Sequence, residues 1–249
     1  MTVNARATVS ATRRLSTPLA MFVREYYRNA MNLVLLVVIP VLLILSYGSA
    51  LSRLADILPE VTLTRAMGQS LGALWSAAFL TGLTGFFMMV GARAADRRLV
   101  RAGYAPAEVV LLRFVSVGLL GALATLVSYG VLLTRLTPAD PVQTLLVMYL
   151  AALTYGAVGI LIGSLISGEL EGSFALLFFF VMDAFVGSPL FGSTSEAFAF
   201  LPTFYPTKVL LALTAEQPHA AIHWLYIVLY LSAASVLAGA AFYRMARLR

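Results

Sequence analysis

The sequence predicts an all-α integral membrane protein, and three observations carry that prediction. Of its 249 residues, 61% are hydrophobic and only 11% charged. Mean hydropathy is +0.91, more apolar than a soluble domain of this size needs. The apolar residues are gathered in runs of helical membrane-crossing length, separated by short polar turns. The chain therefore reads as a single transmembrane domain over 1–249, with six spans at about 32–51, 68–91, 107–134, 142–167, 173–190 and 223–243.

Residues 1–17 are polar, carry Arg6, Arg13 and Arg14 without an acid, and read as a cytoplasmic tail with no cleavable signal peptide. Pro18 then opens a helix over 18–31. Its apolar residues Leu19, Phe22, Val23, Tyr26, Tyr27 and Ala30 recur at spacings of three and four, with Arg24, Glu25 and Arg28 on the remaining surface. That pattern suits an amphipathic helix at the membrane–water boundary, although a plain extension of the first span is also open. Pro40 falls near the middle of the first span and is expected to kink it. The second span contains Gly68, Gly72, Gly82 and Gly85, residues that let helices approach closely.

The longest polar interval follows. Arg93, Arg97 and Arg101 recur every four residues, with Asp96 and Arg98 between them, which predicts a short basic helix. Gly103 stops it, Pro106 opens the next helix, and Glu108 lies in the first turn, where the helix dipole favours an acid. Arg113, one turn inside the third span, is expected to snorkel back to the basic side. Pro138 and Pro141 bracket the turn to the fourth span, which holds Gly159 and Gly163 in a small-residue packing pattern. The fifth span contains Phe178, Phe179, Phe180, Phe185 and Asp183. Residues 192–222, broken by Pro202, Pro206 and Pro218, predict one or two short helices at or dipping into the outer surface.

Six spans place both termini on one side. Most of the 17 basic residues fall in the N-terminal segment, the stretch from Arg93 to Arg113, and the tail, against Arg53, Arg65, Arg135 and Lys208 opposite. The positive-inside rule therefore puts both termini and the basic stretch in the cytoplasm of a cell-membrane protein.

Chemistry is sparse. Cysteine is absent, which excludes disulfides, thiolate metal sites and cysteine nucleophiles. No glycine-rich loop ends in Gly-Lys-Ser/Thr, so the chain has no phosphate-loop ATPase site. His219 and His223 are one turn apart but lack a third ligand beyond Glu216, and no catalytic or metal residue is assigned. Arginines scattered between apolar runs do not suit nucleic acid. Asp183 stands out, since a carboxylate within a span is costly and faces a bundle interior or a watery path. It is a candidate translocation-path residue, with helix packing as the alternative.

A family resemblance rests on four features in order. The helix Phe22-Val-Arg-Glu-Tyr-Tyr-Arg-Asn-Ala-Met-Asn32 runs into a proline-centred span. A basic segment with Leu99 and Ala105-Pro106 precedes the third span, and Leu201-Pro-Thr-Phe-Tyr-Pro206 precedes the last. Together these resemble the permease subunit of type-2 ATP-binding-cassette (ABC) exporters, over nearly the whole chain. Members often carry an acid-Arg-Gly-Thr signature in the basic loop; here Asp96 and Arg97 match its start and the Gly-Thr is missing.

The resemblance implies a half-transporter. Two permease chains, identical or homologous, would pair with two separate ATPase subunits, which alone bind ATP and Mg, and cargo would leave along the dimer axis. It makes Arg24, Glu25, Arg28, Arg93, Asp96, Arg97, Arg98 and Arg101 candidate ATPase-coupling residues, the basic stretch forming a cytoplasmic coupling helix. The same arginines could instead rest on anionic lipid headgroups. The aromatic fifth span would suit a lipophilic drug or lipid-like cargo. Two other readings are open: a proton- or ion-coupled secondary transporter using Asp183, and an intramembrane enzyme using the histidines.

Overall fold

The computed structural model describes Arg24, Arg28 and residues 30–57, 64–101, 104–186 and 198–247, and regular structure among them is helical. Seven helices follow in order: α1 (Ala30–Ile57), α2 (Arg65–Arg101), α3 (Pro106–Leu133), α4 (Pro141–Leu165), α5 (Glu169–Val186), α6 (Phe204–Thr214) and α7 (Ala221–Arg247). Five of them, α1, α2, α3, α4 and α7, are long and apolar enough to cross a membrane, as befits a multi-pass membrane protein. α5 is 18 residues long and carries Glu169, Glu171 and Asp183.

Local chemistry explains the boundaries. Pro106 and Pro141 occupy the first helical turns of α3 and α4, where the missing N–H removes no bond. Before α3, the Ala105 N–H donates to Glu108 Oε2 at 2.9 Å. Before α4, Asp140 Oδ1 accepts the Gln143 N–H at 3.0 Å, a side-chain N-cap. α1 continues through Pro40 as one helix.

The bundle is organised around α2 and α4. In its membrane-crossing window α2 is 67% buried, against 22% for α1 and 17% for α7, so the last two form the periphery. Glycine sets the central crossing. A Cβ built on Gly159 would lie 2.0 Å from the Gly82 carbonyl oxygen, and one on Gly85 2.5 Å from that of Gly156. Gly68 and Gly72 bring α2 close to α1 as well, at 2.5 and 2.6 Å from the carbonyl oxygens of Tyr47 and Leu43 by the same measure. The small residues of the second and fourth spans thus do what the sequence expected of them. Around this crossing Leu71, Leu74, Trp75, Val147, Met148 and Tyr155 form the main core.

The structure departs from expectation, or narrows it, in four places. First, no separate coupling helix stands between the second and third spans among the described residues: Arg93 to Arg101 continue α2, which runs 37 residues without a break. Nothing between Gly91 and Arg101 stops a helix, and the change in polarity there alters the solvent, not the backbone. Second, of the two forms left open for the segment before the last span, α6 does not lie at the surface of the bundle but dips into it. Phe204, Pro206, Thr207, Val209, Leu210 and Leu213 are buried in it, packed against α2, α4 and α7. Third, Arg113 does not snorkel but is 1% exposed. It belongs to the inward stripe of α3, with Val109, Leu112, Ser116, Val117 and Leu120 buried beside it at spacings of three and four. Fourth, the fifth helix begins at Glu169, earlier than the expected 173, and 187–190 lie outside the described residues.

Most of the expected interfacial helix at 18–31, Glu25 included, also lies outside the described residues; Arg24 and Arg28 are helical and exposed.

Candidate functional site

Among the residues whose burial is described, Asp183 is the one buried acid, at 0% exposure. It sits in the last turn of α5, on the inward stripe formed by Gly172, Leu176, Phe180, Asp183 and Ala184. The other face of the helix, with Phe174, Phe178, Val181 and Met182, is exposed. The phenylalanine run therefore divides between packing and surface, as helical periodicity requires.

Two donors meet the carboxylate. The Tyr155 hydroxyl, from α4 and itself 0% exposed, donates to Oδ2. The backbone N–H of Thr203 donates to both oxygens, at 3.3 Å to Oδ1 and 3.2 Å to Oδ2. Thr203 is the N-cap residue of α6, so Asp183 supplies from another helix the bond that Glu108 supplies locally for α3. A negative charge at that helix end also faces the positive end of the α6 dipole. Aromatic packing fixes the tyrosine: its ring meets Phe180 edge-on at 5.6 Å, and Phe180 lies tilted against Phe79 of α2 at 4.7 Å. The site joins α2, α4, α5 and α6.

The neighbouring segment is tied at further points. Tyr230 of α7 donates to the Ala199 carbonyl at 2.6 Å, and Thr214 Oγ1 to Ser70 Oγ of α2 at 3.0 Å. Tyr205 stacks on Tyr226 at 4.5 Å, and the ammonium of Lys208 lies 4.4 Å from the centre of the Phe204 ring. α6 ends in a Schellman arrangement: Gln217 N–H donates to Ala212 O at 2.8 Å and Glu216 N–H to Leu213 O at 3.3 Å. Glu216 takes the left-handed position with φ 54°, where glycine is usual.

The histidines do not converge. His219 packs edge-on against Trp224, at 6.1 Å, and His223 lies 5.6 Å from Tyr205. Among the described residues no group of three His, Cys, Asp or Glu side chains could hold a metal ion. An open cleft of about 460 Å³ is lined by Asp140, Glu216, Gln217 and His219 among others, with Asp140 already engaged as the α4 cap.

The remaining candidates lie elsewhere. Arg98 is exposed on the last stretch of α2, and Arg93, Asp96, Arg97 and Arg101 occupy the same helical extension. The sequence missed Tyr155 and Thr203. A lone tyrosine in an apolar helix and a threonine after a proline carry no local sign of a carboxylate partner.

No protein-family model matches the chain, and no curated protein matches it.

Proposed function

We infer that this chain is the membrane-spanning subunit of an ATP-driven exporter, working as a dimer with separate ATPase subunits that bind ATP and Mg. In this reading α5 is a sixth span. Its 18 residues reach about 27 Å, close to the thickness of a hydrocarbon core. Glu169 and Glu171 fall in its first turn, at the water boundary, and Asp183 is buried. Six spans with the arginine bias then put both termini in the cytoplasm of the cell membrane.

The observation that supports this reading most is α2. At 37 residues it is about 55 Å long, roughly 25 Å more than a hydrocarbon core needs. Its apolar window ends at Gly91, and the arginine-bearing remainder continues in the same rod. A soluble partner that grips this extension acts directly on a core helix. Arg93, Asp96, Arg97, Arg98 and Arg101, with Arg24, Glu25 and Arg28, are the proposed contacts. The exposed aromatic face of α5 suits a lipophilic or lipid-like cargo. The alternative of an ion-coupled transporter using Asp183 gains nothing, since that carboxylate is shut in and hydrogen-bonded.

Affinity purification of the tagged chain from its native membrane tests the proposal. An ATPase subunit should co-purify and be required for transport; full transport by the chain alone, driven by an ion gradient, would overturn it. Arg97→Glu should abolish transport, and a charge reversal on the ATPase should restore it. Failure of every such reversal, with binding to anionic lipid intact, would assign the extension to headgroups.

A further inference from the structure

We propose that Asp183 is a latch that holds the segment from Phe198 to Thr214 inside the bundle, and that withdrawing its carboxylate opens that end of the protein. The proposal stands apart from any transport reading.

Four observations carry it. α6 has 11 residues, too few to be a stable helix alone, so its seat depends on packing and on its end anchors. One anchor is the Thr214–Ser70 hydroxyl pair, and the other is the bond from Thr203 to Asp183. The carboxylate comes from α5, whose contacts are sparse beside those between α2 and α4. Finally, both oxygens of Asp183 serve neighbours on other elements, Tyr155 on α4 and Thr203 at α6. A displacement of α5 therefore removes the acceptor from both partners at once. A buried peptide N–H and a buried phenol are left without it, and the inexpensive response is for the segment to swing out to water.

The absence of cysteine makes the test direct. Thr207, one turn beyond Thr203, is 1% exposed and its hydroxyl has no hydrogen-bond partner, so Thr207→Cys is a mild buried reporter. Ser116, 0% exposed on α3, supplies a second reporter, Ser116→Cys, away from the segment. Each is placed in the full chain, purified in detergent, and its reaction with a water-soluble maleimide is timed. With Asp183 intact both thiols should react slowly. Adding Tyr155→Phe, which keeps the ring and the carboxylate, should speed Thr207→Cys about tenfold, the opening expected for one lost buried hydrogen bond, and leave Ser116→Cys unchanged. Asp183→Ala should speed it further. Ser128→Ala, which removes the buried Ser76–Ser128 contact at 3.0 Å, should have no such effect. Unchanged labelling of Thr207→Cys in both latch variants overturns the proposal. Equal acceleration at Thr207→Cys and Ser116→Cys overturns it too, because Asp183 would then support the whole bundle and not one segment. If Asp183→Ala does not fold, Asp183→Leu, which fills the space and offers no acceptor to Thr203, takes its place.

Discussion

The hydroxyl of Tyr155 donates to the carboxylate of Asp183 across the contact between α4 and α5, where neither side chain reaches solvent. Removing Asp183 strands the phenol, and removing the phenol leaves the carboxylate with the Thr203 N–H alone. Tyr155→Phe should lower stability by about 1–3 kcal/mol, and Asp183→Ala by more, because it leaves the phenol and the Thr203 N–H both unanswered. Asp183→Asn should cost less than Asp183→Ala, since the amide oxygen still accepts from Thr203. Thermal unfolding of the purified chain, followed by circular dichroism, checks the order; a midpoint for Asp183→Asn at or below that of Asp183→Ala would contradict it.

Gly159→Ala is expected to disrupt the bundle. The new methyl group would stand 2.0 Å from the Gly82 carbonyl and force α2 and α4 apart, at a cost of about 1–3 kcal/mol or more. Gly130→Ala supplies the contrast, since a Cβ there meets nothing within 4 Å and the residue lies within α3. It should raise stability by about 0.5–1 kcal/mol through helix propensity. Comparable losses in both variants would show that the crossing is not as close as described.

Glu216→Gly should stabilise the protein by about 1 kcal/mol, because glycine takes the left-handed conformation that φ 54° imposes on this residue without crowding a Cβ. Chemical or thermal unfolding measures it. A loss of stability would mean that the glutamate side chain holds something the backbone geometry does not require.

Single cysteines at Arg98, Glu169 and Gln217, all exposed positions, test the six-span reading. In intact cells a membrane-impermeant maleimide should label Gln217→Cys and spare Arg98→Cys and Glu169→Cys. If Glu169→Cys and Gln217→Cys are labelled from the same side, α5 does not cross.

The helical bundle was legible because apolar run length and proline position are local signals. The spans expected at 107–134 and 142–167 match Pro106–Leu133 and Pro141–Leu165 closely, since Pro106 and Pro141 mark the first turns in sequence as they do in space. The close approach at Gly82 and Gly159 was legible for a similar reason, as small residues announce where helices touch. What stayed hidden was tertiary. Tyr155 lies 28 positions from Asp183 and Thr203 lies 20, and neither spacing leaves a trace in composition. The inward turn of Arg113 follows from its stripe on α3, which shows once the neighbours that cover the stripe are known. The depth of α6 stayed open for the same cause: proline-broken pieces too short to span can lie at a surface or dip into it, and α2, α4 and α7 around them decide which.

The Gly82–Gly159 crossing lies near the middle of α2, with about 25 Å of helix toward Arg65 and about 30 Å toward Arg101. A rigid rod held at its midpoint is a balanced lever, and the glycine contact is its fulcrum. A sideways push on the arginine end would therefore turn α2 about that contact and carry its Arg65 end the opposite way, together with α1, which is seated on Gly68 and Gly72. That end carries Ser70, the residue on which Thr214 rests.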